Sequence, residues 1–114
     1  MNTLKKSQWR QIILGSTILA LVFCIPLLNG SLRYGSDTSF HLNRIIALST
    51  ALKNGDLYPR VFWDQNYGFG YGSPSFYSFF FLYLPAWLYL LGMGILPAFR
   101  IFTFLVVFFC ALSM

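Results

Sequence analysis

The chain is 114 residues long, with 57% hydrophobic, 20% aromatic and only 10% charged residues, and its mean hydropathy is +0.63. A soluble domain carries about 25% charged residues, so these proportions exclude a domain that covers its own core with polar surface and point to a bilayer as the solvent. Eight Lys and Arg against three acidic residues, all of them Asp, give a net charge of +5; the basic residues are spread along the chain and border apolar segments, which excludes a nucleic-acid-binding stripe.

The first apolar segment runs from Ile12 to Leu28 without a charge. As a helix rising about 1.5 Å per residue it nearly spans a ~30 Å hydrocarbon core. Lys5, Lys6 and Arg10 precede it, within residues 1–11, and this basic flank predicts a cytoplasmic N-terminus. A cleaved signal peptide is the competing reading, but the apolar run exceeds the usual ~7 to 15 residues and no A-x-A-like site follows.

The second apolar segment follows Gly72-Ser73-Pro74 and is expected as a transmembrane helix over 76–96, dense in aromatic residues and kinked at Pro85. A cytoplasmic turn over 97–100, ending in Arg100, leads into a third apolar segment over 101–114, which is too short to span. Cys24 and Cys110 lie inside apolar segments and read as small hydrophobes, not as a disulfide. The fold class is thus all-α: a polytopic membrane protein with two full transmembrane helices and a truncated third, multi-pass in the cell (inner) membrane. The chain reads as the N-terminal part of a larger protein or a truncated gene product, with a small non-enzymatic membrane protein that binds partner helices as the alternative.

Residues 29–75 form the loop between the first two spans, extracytoplasmic by this topology. It holds all three carboxylates and the single His41, with Arg33, Arg44, Lys53 and Arg60. The periodicity predicts a helix over about 37–54, N-capped by Ser36 or Asp37, with Lys53 in its last turn and Gly55 as the left-handed residue that ends it. Leu42, Ile45, Ile46, Ser49 and Leu52 fall on one stripe, as in an amphipathic helix lying in the membrane interface. Spacings of four and three place Asp37, His41 and Arg44 on a common side, where one substrate could meet all three. The plain structural reading stands beside it: Asp37 caps the helix, and Arg44 binds lipid headgroups.

The glycine and aromatic run from Tyr67 to Gly72 has no preceding strand and so is not a phosphate cradle. It reads as a tight turn whose rings rest on the membrane surface or stack on a sugar. Gly70-Tyr71-Gly72 also echoes a potassium-channel filter, but Asn66 to Phe69 replace the Thr-Val step and the preceding helix carries three basic side chains, counting His41.

Taken together, Gly35-Ser36-Asp37-Thr38-Ser39-Phe40-His41-Leu42-Asn43-Arg44, Gly55-Asp56-Leu57-Tyr58-Pro59-Arg60, the run from Gly68 to Tyr77 and Tyr83-Leu84-Pro85 resemble the start of large bacterial membrane proteins of the YfhO type, within the GT-C glycosyltransferase-like superfamily. The resemblance covers most of this chain and only the N-terminal portion of such a protein. It implies a polyprenyl-phosphate-linked sugar as donor and a cell-envelope lipid or polymer as acceptor. It also implies Asp37 as the acid of the first outer loop, either the general base for an acceptor hydroxyl or a ligand of a divalent metal ion. His41, Arg44 and, more weakly, Arg60 would then contact phosphate. Asp37 stands between Ser36 and Thr38, whereas many members of the superfamily carry an adjacent acidic pair; the sequence departs at this point from the two-carboxylate version of the mechanism. The partners implied are membrane lipid, the lipid-linked sugar and further membrane helices.

Overall fold

A computed structural model describes residues 6–28 and 37–113; Lys5, Arg33, Gly35, Ser36 and Met114 lie outside the described residues. In chain order the elements are α1 (Lys6–Leu28), α2 (Thr38–Lys53), the single turn α3 (Ser73–Phe76), a 3-10 turn (Phe80–Leu82), α4 (Tyr83–Leu90) and α5 (Ile95–Ser113). The described chain is all-helical, with one lone antiparallel bridge between Phe62 and Tyr71 among its residues. It divides into two compact units, one of Met1–Arg33 with Arg100–Met114 and one of Tyr34–Phe99.

The first unit holds α1 and most of α5, the two described helices long and apolar enough to cross a membrane, with mean hydropathies of 1.6 and 2.3 over their apolar stretches. α1 starts at Lys6, not at Ile12, because nothing between Ser7 and Gln11 breaks a helix: a charged or polar side chain does not interrupt the backbone ladder. Its apolar side chains, Leu14, Ile18, Val22 and Phe23 among them, are mostly exposed, while the small residues Ser16, Ala20 and Cys24 recur every four positions and are buried.

α5 corrects three expectations together. The turn over 97–100 is helical, the third segment is not a truncated piece from residue 101, and the second segment does not form a continuous helix over 76–96. Pro97 explains the first two. It is the third residue of α5, where a helix has no intrahelical partner for its amides, so the missing N–H costs nothing and the fixed φ favours initiation. The helix is interrupted instead at Leu91–Gly94, with Gly92 at φ 93°. Pro85 likewise starts a helix where a kink was expected, as the third residue of α4.

The second unit is built on α2, which packs against α4 and the 3-10 turn. Ile45, Leu48 and Leu52 from α2 meet Phe62, Phe79, Leu82 and Ala86 in one buried cluster, edged by Tyr83, Leu90, Ile95 and Phe99. Burial of each large side chain contributes about 1.5 to 3 kcal/mol. The stripe expected to face the membrane interface is consequently spent on the protein's own core; of its members only Ile46 stays exposed.

The end of α2 follows from backbone chemistry. Gly55 sits at φ 85°, its N–H donates to Leu52 O, and the Asp56 N–H donates to Ala51 O, both at 3.0 Å, which is a Schellman closure of the last carbonyls. A Gly55→Ala substitution forces a side chain into the left-handed region at a cost of about 1 to 2 kcal/mol. Thermal unfolding in detergent should show that loss, and Gly55→Asn should recover part of it because asparagine tolerates this conformation better. An alanine variant as stable as the parent would show that this closure does not hold the helix end.

Candidate functional site

Asp37 occupies the N-cap position of α2, as its place before the helix predicts, yet its side chain makes no capping hydrogen bond. The His41 N–H reaches the Asp37 backbone carbonyl at 3.0 Å, and the Asp37 side chain is exposed. His41, one turn on, is half-buried, with its ring edge-on to Phe40 at 5.3 Å. Two side chains of the expected trio thus stand at the head of α2, the carboxylate open to solvent and the imidazole partly so.

Arg44 does something else. It is only 2% exposed, and its guanidinium donates to the backbone carbonyls of Tyr77 at 3.2 Å and Ser78 at 3.1 Å. The same group lies 5.3 Å from the centre of the Phe40 ring and 5.6 Å from that of Tyr77. Burial pulls its pKa below the ordinary value, with Tyr71 and Tyr77 partly opposing that shift; arginine nevertheless remains charged. The cation is held by two carbonyl dipoles and two aromatic faces, with no carboxylate recorded against it among the described residues. Arg44 therefore does not present a fork to a phosphate, contrary to what the resemblance implies, nor does it share an open face with Asp37 and His41 as their spacing suggests. The sequence held the signal: Arg44 precedes Leu48 by four positions and Leu52 by eight, so it belongs to the core stripe of α2.

The Tyr77 and Ser78 carbonyls are free to accept because the backbone there is not helical. Tyr77 is extended, at φ −119° and ψ 125°, and helix resumes only at Phe80. This break is what divides the expected second span, and its two carbonyls are structural partners of Arg44 that hydropathy does not reveal.

Arg60 is exposed on the loop after α2, where its carbonyl accepts from the Ser75 hydroxyl at 3.2 Å. The loop from Phe62 to Tyr71 is closed by a reciprocal pair of backbone bonds at 3.0 Å and tied to α2 by the Gln65 amide donating to Asn43 O at 2.9 Å. Gly70 within it, at φ 82°, has no room for a side chain: a Cβ would lie 2.9 Å from Val61 Cγ1. The Tyr71 carbonyl is taken up by the Phe62 N–H, so Gly70-Tyr71-Gly72 has no row of free carbonyls like that of an ion filter. Tyr67 at the loop tip is 98% exposed.

Three cavities of this unit lie elsewhere. One of about 700 Å³ is lined by Ser49, Thr50, Lys53, Tyr89 and Met93 among others, one of about 330 Å³ by Asn43, Thr50, Asp64, Gln65 and Asn66 among others, and an aromatic one of about 300 Å³ by Tyr58, Phe79, Phe80 and Tyr83 among others. None of the three is lined by Asp37, His41, Arg44 or Arg60. Among the described residues no three His, Cys, Asp or Glu side chains come together as metal ligands. A divalent ion at Asp37 would have one protein carboxylate and little else from the described chain, so the residues present do not fit a metal centre.

No family model matches the chain, and no curated protein or solved structure is significantly similar to it.

The assignment of Arg44 as an internal brace is testable. Arg44→Met keeps the length and apolar stem but leaves two carbonyls without a donor, each worth about 1 to 3 kcal/mol when buried. Arg44→Lys should not restore them, since a compact ammonium lacks the planar fork that spans two acceptors and stacks on rings. Resistance to protease in detergent should fall in both variants, with cleavage appearing near Tyr77–Phe79; unaltered resistance in Arg44→Met would remove the brace.

Proposed function

We propose that the chain is the N-terminal portion of a YfhO-type, GT-C-like membrane glycosyltransferase, multi-pass in the cell inner membrane with a cytoplasmic N-terminus. Its donor is a polyprenyl-phosphate-linked sugar and its acceptor a hydroxyl of a cell-envelope lipid or polymer. The observation that carries the reading is the Asp37 carboxylate, exposed and uncommitted to capping, at the head of a helix that follows a membrane-length apolar helix. The resemblance in residue order supplies the reaction class.

In this reading Asp37 takes the proton of the acceptor hydroxyl as its oxygen attacks the anomeric carbon of the sugar. The bond from that carbon to the phosphate oxygen breaks, and polyprenyl phosphate leaves with the electron pair. His41 and Arg60 are the side chains that would contact the phosphate, whereas Arg44 acts as a positioning residue that fixes α2. The described residues favour the base role of Asp37 over metal ligation, because they offer no ligand set for an ion. The alternative, a non-enzymatic membrane protein bound to partner helices, draws on the exposed apolar side chains of α5, such as Val106 and Phe109.

Glycan transfer by the full-length protein separates the two. Asp37→Asn should lower the rate by about 10² to 10⁴, the usual contribution of a general base, while thermal stability stays at the parental value because the side chain is exposed and makes no cap bond. Transfer that continues unchanged in a normally expressed Asp37→Asn protein would overturn the role of Asp37. A reporter fused after Lys53 should register an extracytoplasmic position; a cytoplasmic signal there would invert the topology.

A further inference from the structure

The 3-10 turn and α4 present two apolar faces. One carries Leu82 and Ala86 into the core with Phe79 just before them. The other carries Phe80, Leu84, Trp87 and Leu91, spaced by four, three and four residues, and these are 74%, 43%, 51% and 81% exposed. Phe81 adds a further exposed ring to the same segment, and Phe76 another just before the break. A helix apolar all round belongs in a core or in a membrane, and this one has its core on one side only.

Three observations identify what covers the other side. First, from Gln65 to Phe99 the sequence has 35 consecutive residues without Asp, Glu, Lys, Arg or His; a face built for a soluble partner would be rimmed by charge, as interfaces are. Second, the backbone break at Tyr77–Phe79 has its two carbonyls closed from within by Arg44. Irregular backbone beside hydrocarbon requires such internal closure, since each unsatisfied group there costs several kcal/mol, and the closure present here meets that requirement. Third, the segment runs on through the Leu91–Gly94 turn into α5, a helix of membrane-crossing length and composition. The 3-10 turn and α4 together rise only about 18 Å, well short of a ~30 Å hydrocarbon core.

We infer that Phe80–Leu91 is a re-entrant element: it enters the bilayer to partial depth without crossing, its Phe80, Leu84, Trp87 and Leu91 face against acyl chains and its Leu82 and Ala86 face on α2, with Arg44 closing the backbone where the segment departs from helix. The occupant of the exposed face is lipid. The inference depends on membrane residence and not on sugar transfer, so it stands or falls separately from the role of Asp37.

Trp87 is a built-in probe. The full chain with Trp9→Phe and Trp63→Phe, reconstituted in phosphatidylcholine vesicles, leaves Trp87 as the sole indole. In vesicles of acyl-brominated phosphatidylcholine its fluorescence should lose most of its intensity, with the stronger loss for bromine near the headgroup end of the chains, and aqueous iodide should quench it little. Iodide quenching without bromolipid quenching would place the face in water and overturn the inference. Shielding from both quenchers would mean that a protein surface covers it, which overturns it equally. Should the tryptophan variant fail to fold, Leu84→Cys in a chain with Cys24→Ala and Cys110→Ala gives the same answer: a membrane-impermeant maleimide should label it only after detergent is added, and labelling in intact vesicles would refute a lipid-facing position.

Discussion

The guanidinium of Arg44 on the carbonyls of Tyr77 and Ser78 is the constraint from which the second unit follows. A buried cation has to be compensated, and here the compensation comes from backbone dipoles and ring faces. Those dipoles exist only if residues 77–79 stay out of helix. The core then forms around this joint: Phe79 is turned inward beside Leu82 and Ala86, and α2 lies against them through Ile45, Leu48 and Leu52. A charge that looked like a ligand-binding group thus holds two helical segments at a fixed break, and it frees the head of α2 to carry Asp37 and His41 toward solvent.

Much of the helical layout was legible. Gly55 ends α2 as its position after Lys53 suggested, and the apolar stripe of that helix is real. What hydropathy could not convey was where the stripe points. An apolar face answers equally to lipid and to protein, and the decision lay with Phe62, Phe79, Leu82 and Ala86, 10 to 41 residues away in sequence. The second span was misjudged for a related reason. A sum of side-chain hydrophobicity over residues 76–96 treats Pro85 as a kink inside one helix and leaves Pro97 to the turn that follows, whereas both are third residues of new helices, where proline is at home. The places of Asp37 and His41 at the head of α2 were legible; for Arg44 the sequence carried two spacings, one shared with Asp37 and His41 and one with Leu48 and Leu52, and only the packing decides between them.

The contrast between Asp37 and Arg44 also separates activity from stability in a way useful to experiment. Asp37 is exposed and makes no capping bond, so its chemistry can be changed without touching the scaffold. Arg44 is embedded, so any change to it alters the scaffold first and whatever stands on that scaffold second. Loss of activity on changing Arg44 therefore carries no information about contact with substrate.

The break at Tyr77–Phe79 has a consequence for the parity of the chain. If residues 76–96 were threaded as one helix, every later residue would lie on the opposite side of the bilayer from where a returning segment leaves it. Arg44 lies 33 and 34 residues ahead of the carbonyls it binds, so the middle of α2 is tied to backbone that has not yet resumed helix. If Phe80–Leu91 is re-entrant as inferred above, one arginine and two backbone oxygens set whether the number of crossings ahead of Ile101 is odd or even, and with it which side of the bilayer receives the residues after it.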